Sequence, residues 1–217
     1  GAMLHDVGKI AISKAIINDS ARIVFRSTLT GAGISALNNE ALFSHDGASV
    51  NALFVKGSPL APGATPVMHS LMQAVQAANV PRVVATMLLR QGVNGVTAAT
   101  DSACAQHDYS ALSLLVREGD PAVGTVEKLG QLTGRVATCY SGGFVFSAAL
   151  TGAVNANQTV QRVAANLSAS LVARKGMNAP GIAGTTITSI LGESLDFPDT
   201  VLLRCTLSAP ATSATNE

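Results

Sequence analysis

Charge is unusually scarce in this sequence. Only 12% of its 217 residues are Asp, Glu, Lys or Arg, about half the ~25% of an average soluble domain. A weakly charged surface does little to resist self-association, which suits a subunit that packs against copies of itself. The plainer alternative is a compact domain with a neutral polar skin. Fourteen basic residues against thirteen acidic ones leave a net charge of +1, no strong field to gather nucleic acid or a membrane surface. Tryptophan is absent and aromatics make up 4%, which argues against base-stacking platforms and carbohydrate stacking. Cys104, Cys139 and Cys205 are odd in number and far apart, neither a disulfide framework nor a CxxC metal site. Buried thiols in a reducing compartment, such as the cytoplasm, are the expectation. No signal peptide is read at GAMLHDVGKI, because charge falls inside its first residues; Gly1, Ala2 and Met3 look like a scar of tag removal.

One long charge-free run bears on the question of a membrane. Residues 136–161 carry no charge, and the apolar part, 136–154, approaches a membrane span in length. Thr138, Ser141, Gly142, Gly143 and Ser147 interrupt it, so the expectation is a turn at Gly142-Gly143, a buried helix over 144–154 and no membrane span.

The stretch that organises the rest is APGATPVMHSLMQAVQAANVPRVVATMLLRQG, residues 61–92. Thr65 and Pro66 make a helix start, and Val67, Met68, Leu71, Met72 and Val75 then share a face at helical spacing. Pro81 starts a second helix, which Gly92 closes. Met68 and Met72 are candidates for an adaptable self-association or partner face, with ordinary core packing as the alternative. His69 on the same element reads as a core histidine. Further helices are expected over 4–19, 34–43, 102–106, 109–118, 121–132 and 157–175. Strands are expected over 22–28, 185–191 and 200–207; the last shows the clearest alternation, Val201, Leu203, Cys205 and Leu207 against Leu202, Arg204 and Thr206. No clean repeat stands out at solenoid periods. The expected fold is therefore α+β and predominantly helical, with about seven helices and a small antiparallel sheet mainly from C-terminal strands. It forms a single globular domain over 1–207, followed by a disordered tail over 208–217.

Three of the four histidines precede an aspartate: His5-Asp6, His45-Asp46 and His107-Asp108. Each pair offers a nitrogen and a carboxylate to a divalent metal. Asp46 and Asp108 also stand where helix N-caps are expected. Leu4 to Ile12, LHDVGKIAI, resembles the HD motif of metal-dependent phosphohydrolases, especially the HD-GYP branch. The resemblance implies that His5 and Asp6 are metal ligands and that Lys9 assists at a phosphate. It covers nine residues, and no HHE motif or GYP triplet follows. Cys139 and Ser141 precede a Gly-Gly, but no GxSxG elbow is present. Gly31-Ala32-Gly33 lacks the third glycine of a dinucleotide site.

The leading expectation is a self-associating structural subunit of coat, shell or filament type. If it encloses nucleic acid, Arg82, Arg90, Arg117, Arg135, Arg162 and Arg174 are the candidate phosphate contacts, with solvated surface as the alternative for each. A metal-dependent hydrolase using His5, Asp6, His45, Asp46, His107 and Asp108, with a divalent metal as cofactor, is the second reading. A helix-binding adaptor is the third.

Overall fold

A computed structural model describes residues 15–17, 21–60, 66–76, 80–152, 157–196 and 200–208. The described residues form strands and turns and no helix. The strands are β1 (Ala15–Ile17), β2 (Ile23–Thr28), β3 (Glu40–His45), β4 (Val50–Val55), β5 (Met68–Gln76), β6 (Val83–Leu89), β7 (Ser102–His107), β8 (Leu112–Arg117), β9 (Leu129–Thr138), β10 (Phe144–Leu150), β11 (Gln158–Val163), β12 (Ala169–Arg174), β13 (Ile187–Asp196) and β14 (Thr200–Leu207). The predominantly helical α+β expectation is overturned: the chain is all-β.

Each sheet is built from consecutive strands, all antiparallel. Sheet I has the order β1-β2-β3-β4, sheet II β5-β6-β7-β8 and sheet III β9-β10-β11-β12, while sheet IV is the hairpin β13-β14. The sheets stack face to face in chain order. β1 touches β5, then β9 packs on β5, β6 and β7, and β13 packs on β9, β10 and β11. First strand against first strand, with the later strands fanning outward, is how propeller blades are arranged. Three apolar seams separate the four sheets. Val24, Leu42 and Phe54 of sheet I meet Val83, Ala85 and Met87 of sheet II. On the other face of sheet II, Val84 and Cys104 meet Leu132, Phe144 and Phe146 of sheet III. Val145 and Val160, on the far side of sheet III, meet Ile187, Ile190 and Leu195 of sheet IV.

That stacking explains why strands looked like helices. Sheets II and III are covered on both faces, so β6 (VVATMLL) and β10 (FVFSAAL) are buried almost throughout. A strand buried on both sides loses its period-two alternation, and a continuous apolar run rich in Ala, Met and Leu matches helical spacing by default. The two helices expected over 66–92 are the hairpin β5–β6, and those over 109–118, 144–154 and 157–175 are β8, β10 and the hairpin β11–β12. The short helix over 102–106 is β7, and the 34–43 helix is turns leading into β3. The prolines read as helix starts belong to strand entries and turns instead; Pro121 forms an isolated bridge with Lys128. Met68 is buried in the sheet I–II seam, and the Met72 side chain packs beside Gly134, where an added Cβ would lie 2.9 Å from Cε. Neither methionine lies on a helix face. Strands 22–28, 185–191 and 200–207 are present as β2, β13 and β14, although β2 pairs with β1 and β3 and not with the C-terminal hairpin. The turn at Gly142-Gly143 is also present, with Gly142 at φ +89. The 4–19 helix falls outside the described residues except at β1, and the 209–217 tail lies outside them.

The stack carries a repeated latch. The first residue of each sheet's third strand reaches across to the next sheet's first strand and accepts a backbone N–H there. Glu40 accepts from Leu71 at 3.2 Å, Ser102 Oγ from Leu132 at 2.9 Å, and Gln158 Oε1 from Ile190 at 3.0 Å. Each donor is the fourth residue of its strand. Each sits at a register irregularity, where a bulge frees an N–H from its own ladder. The chain therefore repeats, at spacings longer than the ~40–50 residues of common propeller units.

Candidate interaction edge

The His-Asp pairs turn out to belong to this repeat. His45-Asp46 ends β3 and His107-Asp108 ends β7, so both occupy the hairpin between the third and fourth strands of their sheets. Asp46 Oδ1 accepts the N–H groups of Ala48 and Ser49 at 3.0 and 2.9 Å. Asp108 Oδ1 accepts those of Ser110 and Ala111 at 2.9 and 2.7 Å, and the Ser110 hydroxyl at 2.7 Å. The histidines take part too: the Gly47 N–H donates to His45 Nδ1 at 3.1 Å and the Tyr109 N–H to His107 Nδ1 at 2.9 Å. Sheet III closes the same hairpin with Asn166, which accepts from the Ser168 N–H and hydroxyl at 3.0 and 2.7 Å. These are Asx turns, in which the side chain stands in for backbone. The aspartates cap hairpins and not the helices expected there. Hydrogen bonding holds the Asp108 carboxyl down at about 2, chiefly through the Ser110 hydroxyl and the Ala111 N–H, while partial burial lowers His107. The two pairs lie on separate turns, and no group of three or more His, Cys, Asp and Glu that could hold a metal occurs among the described residues. His5 and Asp6 lie outside them. His69 is exposed on β5, not in a core.

The arginines act mostly as staples between neighbouring loops. Arg82 donates from Nη1 to Gly142 O at 2.6 Å and from Nη2 to Ala165 O at 3.2 Å, joining sheet II to two turns of sheet III. Arg90 reaches Leu37 O at 3.0 Å and Arg135 reaches Leu191 O at 2.6 Å. Arg117 donates to Thr100 O at 2.9 Å and Thr100 Oγ1 at 2.8 Å. Arg174 pairs with Glu127 at 3.3 Å. Arg162 stands mid-strand in β11 opposite Val145 and Ser170. A guanidinium bound to carbonyls has fewer donors left for phosphate, and these six are spread over several sheets and turns. The Cys139 Sγ and Ser141 Oγ lie 3.0 Å apart beside the Gly-Gly turn.

The feature that stands apart is sheet IV. Among the described residues sheets I, II and III have four strands each and sheet IV has two. One face of it packs on sheet III through Ile187, Ile190 and Leu195, with Val201, Leu203 and Cys205 against them. Among the described residues β14 pairs with β13 alone, so within them the N–H and C=O groups of its outer side meet no strand. Large apolar side chains are exposed there: Leu202 is 58% exposed, Leu207 41% and Leu191 of β13 40%. The alternation of 200–207 was legible in the sequence; that it pairs with β13 in a separate two-stranded sheet among the described residues was not, because pairing partners are set by topology.

Among the described residues no helix is long and apolar enough to cross a membrane. No curated protein matches the chain. A solved α-L-arabinofuranosidase from Clostridium thermocellum is similar at 14% identity and a TM-score of 0.37, covering 95% of this chain and 70% of that one, too distant to carry an argument. The match that identifies the chain is to a family model over residues 82–200, more than half its length, and the chain belongs to that family of unknown function, DUF7453.

Proposed function

We propose that this chain is a self-associating structural subunit that joins a second copy of itself through β14. The observation that supports the reading is that, among the described residues, β14 carries exposed Leu202 and Leu207 and pairs on one side only, in a two-stranded sheet beside sheets of four. Antiparallel pairing of two β14 strands about a twofold at Leu203 produces a four-stranded sheet, β13-β14-β14-β13. Directly opposed residues in such a pair share a face, so this register sets Leu202 against the partner's Arg204 stem, Val201 against Cys205 and Leu203 against itself, with no like charges opposed. A register centred one residue on, at Arg204, opposes two guanidiniums. The low charge of the chain favours the same outcome. A twofold contact closes at a dimer, so this edge builds a paired unit; a shell or filament requires a second contact surface.

Solution mass by light scattering, with the 260/280 nm absorbance ratio read on the same peak, tests the reading. The expected result is a concentration-dependent dimer. Leu202→Lys puts a lysine opposite Arg204 and should yield monomer with an unchanged circular dichroism spectrum, and adding Arg204→Glu should restore the dimer. A wild-type chain that stays monomeric, or a dimer indifferent to Leu202→Lys, overturns the proposal. A high ratio whose removal by nuclease collapses the assembly replaces edge pairing with bridging by nucleic acid.

A further inference from the structure

The seam between sheets III and IV is not filled completely. A cavity of about 150 Å³ is lined by Thr133, Arg135, Ser147, Ala148, Gln158, Thr159 and Ile190, several times the ~10–15 Å³ one water requires on that measure. Its mouth and its floor differ. Thr133 and Arg135, on β9, are exposed, whereas Ser147, Ala148, Thr159 and Ile190 are 7%, 1%, 1% and 8% exposed.

The polar groups around it are not equally engaged. Thr133 Oγ1 donates to Ser147 O at 3.3 Å, and Thr159 Oγ1 donates to Ala173 O at 3.3 Å. Gln158 uses Oε1 to accept the Ile190 N–H, which leaves its amide NH₂ as a donor. Arg135 uses Nη1 on Leu191 O. The Ser147 hydroxyl is buried and makes no hydrogen bond. A buried hydroxyl without a partner costs roughly 1–3 kcal/mol, so an otherwise closely packed seam retains an unfavourable group beside an unfilled space. None of the lining residues is acidic.

A guanidinium at the lip, an amide and a lone hydroxyl inside, and no carboxylate define an acceptor-rich ligand with negative charge. We propose that this cavity binds a small oxyanion, of the size of phosphate or a short carboxylate. In the bound state Arg135 supplies the charge-assisted contact, and the Ser147 hydroxyl and the Gln158 amide donate to the inner oxygens. The anion then ties β9 and β10 to β13 at the latch made by Gln158 and Ile190. This inference is independent of how β14 pairs.

Calorimetric titration with inorganic phosphate, at constant ionic strength in chloride, tests it on the full chain. Saturable binding of one phosphate per chain is expected, with acetate competing and chloride not. Arg135→Gln should weaken binding about tenfold or more, the loss of one charge-assisted contact, and Ser147→Ala by several-fold, each with an unchanged circular dichroism spectrum. Because Arg135 also holds Leu191, Ser147→Val is the second check: it removes the inner donor and narrows the cavity with apolar bulk, and should abolish binding. Absence of saturable binding by the wild-type chain, or affinity unchanged in Ser147→Ala and Ser147→Val, overturns the proposal.

Discussion

Ser102 Oγ accepts the backbone N–H of Leu132 at 2.9 Å across the seam between sheets II and III, while donating to Glu118 Oε2 at 3.0 Å. Ser102 is fully buried and Glu118 is 8% exposed, so one hydroxyl satisfies two groups that water cannot reach. Ser102→Ala should lower the free energy of unfolding by about 1–3 kcal/mol, the cost of leaving a buried donor without its acceptor. Urea denaturation gives the value. A loss within experimental error would show that the seam closes around the change and that the latch has no energetic role.

Three equivalent hairpins share a left-handed residue, and they fill it differently. Gly47, Tyr109 and Leu167 all have positive φ, at 95, 71 and 68. Glycine adopts this conformation freely, whereas leucine does so at a cost of about 1–2 kcal/mol. Leu167 is 47% exposed, so Leu167→Asn should raise stability by about 0.5–1 kcal/mol, asparagine being tolerant of this region. Tyr109→Asn should give no such gain, because the Tyr109 ring lies 4.0 Å beneath the Arg22 guanidinium and that contact is lost. Thermal melts of the two variants decide the contrast.

Gly142 combines a φ of +89 with a neighbour so close that an added Cβ would lie 2.4 Å from Val80 Cγ2. Gly142→Ala must therefore strain the turn and displace Val80, which packs beside the Arg82 staple. A loss of about 1–3 kcal/mol is expected. Hydrogen exchange should localise it to the β9–β10 turn and the neighbouring turn at Ala165; uniform acceleration across all sheets would contradict a local effect.

The turn aspartate at 108 makes stability depend on pH in a definite direction. Its folded value, about 2, lies below the ordinary 3.8, so its contribution is present above pH ~4 and is lost as pH falls towards 2. Asp108→Asn keeps an acceptor oxygen but cannot titrate, and should flatten the stability profile in that window. His107 works in the same sense at higher pH. Burial lowers it, so its contribution is present above pH ~6.5 and declines below, as protonation removes the Nδ1 acceptor used by Tyr109. His107→Gln should remove the slope below pH ~6.5 and leave the acid slope of Asp108. Denaturation midpoints across pH 2–8 separate the two.

What the sequence disclosed depended on burial. β2 and β14, each with a less covered face, showed β-branched or alternating patterns and were legible as strands. β6 and β10, enclosed on both faces, were not, since burial on both sides erases the alternation that distinguishes strand from helix. The His-Asp pairs carried real information. Their recurrence at 45 and 107 marked a repeated hairpin, but adjacency of an imidazole and a carboxylate reads as metal chemistry until the backbone N–H groups that occupy both are seen. The cavity beside Ser147 left no trace in the sequence, because its lining comes from four strands drawn from two sheets.

The latches run only between neighbours: Glu40 to Leu71, Ser102 to Leu132 and Gln158 to Ile190. Stability in such a molecule is a chain of local couplings rather than one shared sum, and mechanical or thermal stress should peel it from an end. Among the described residues sheet IV is the smallest and is held to sheet III by an apolar seam, one latch and one arginine staple, so it should be the first to open. A second β14 laid along its outer side would double that sheet to four strands and brace the least anchored of the four.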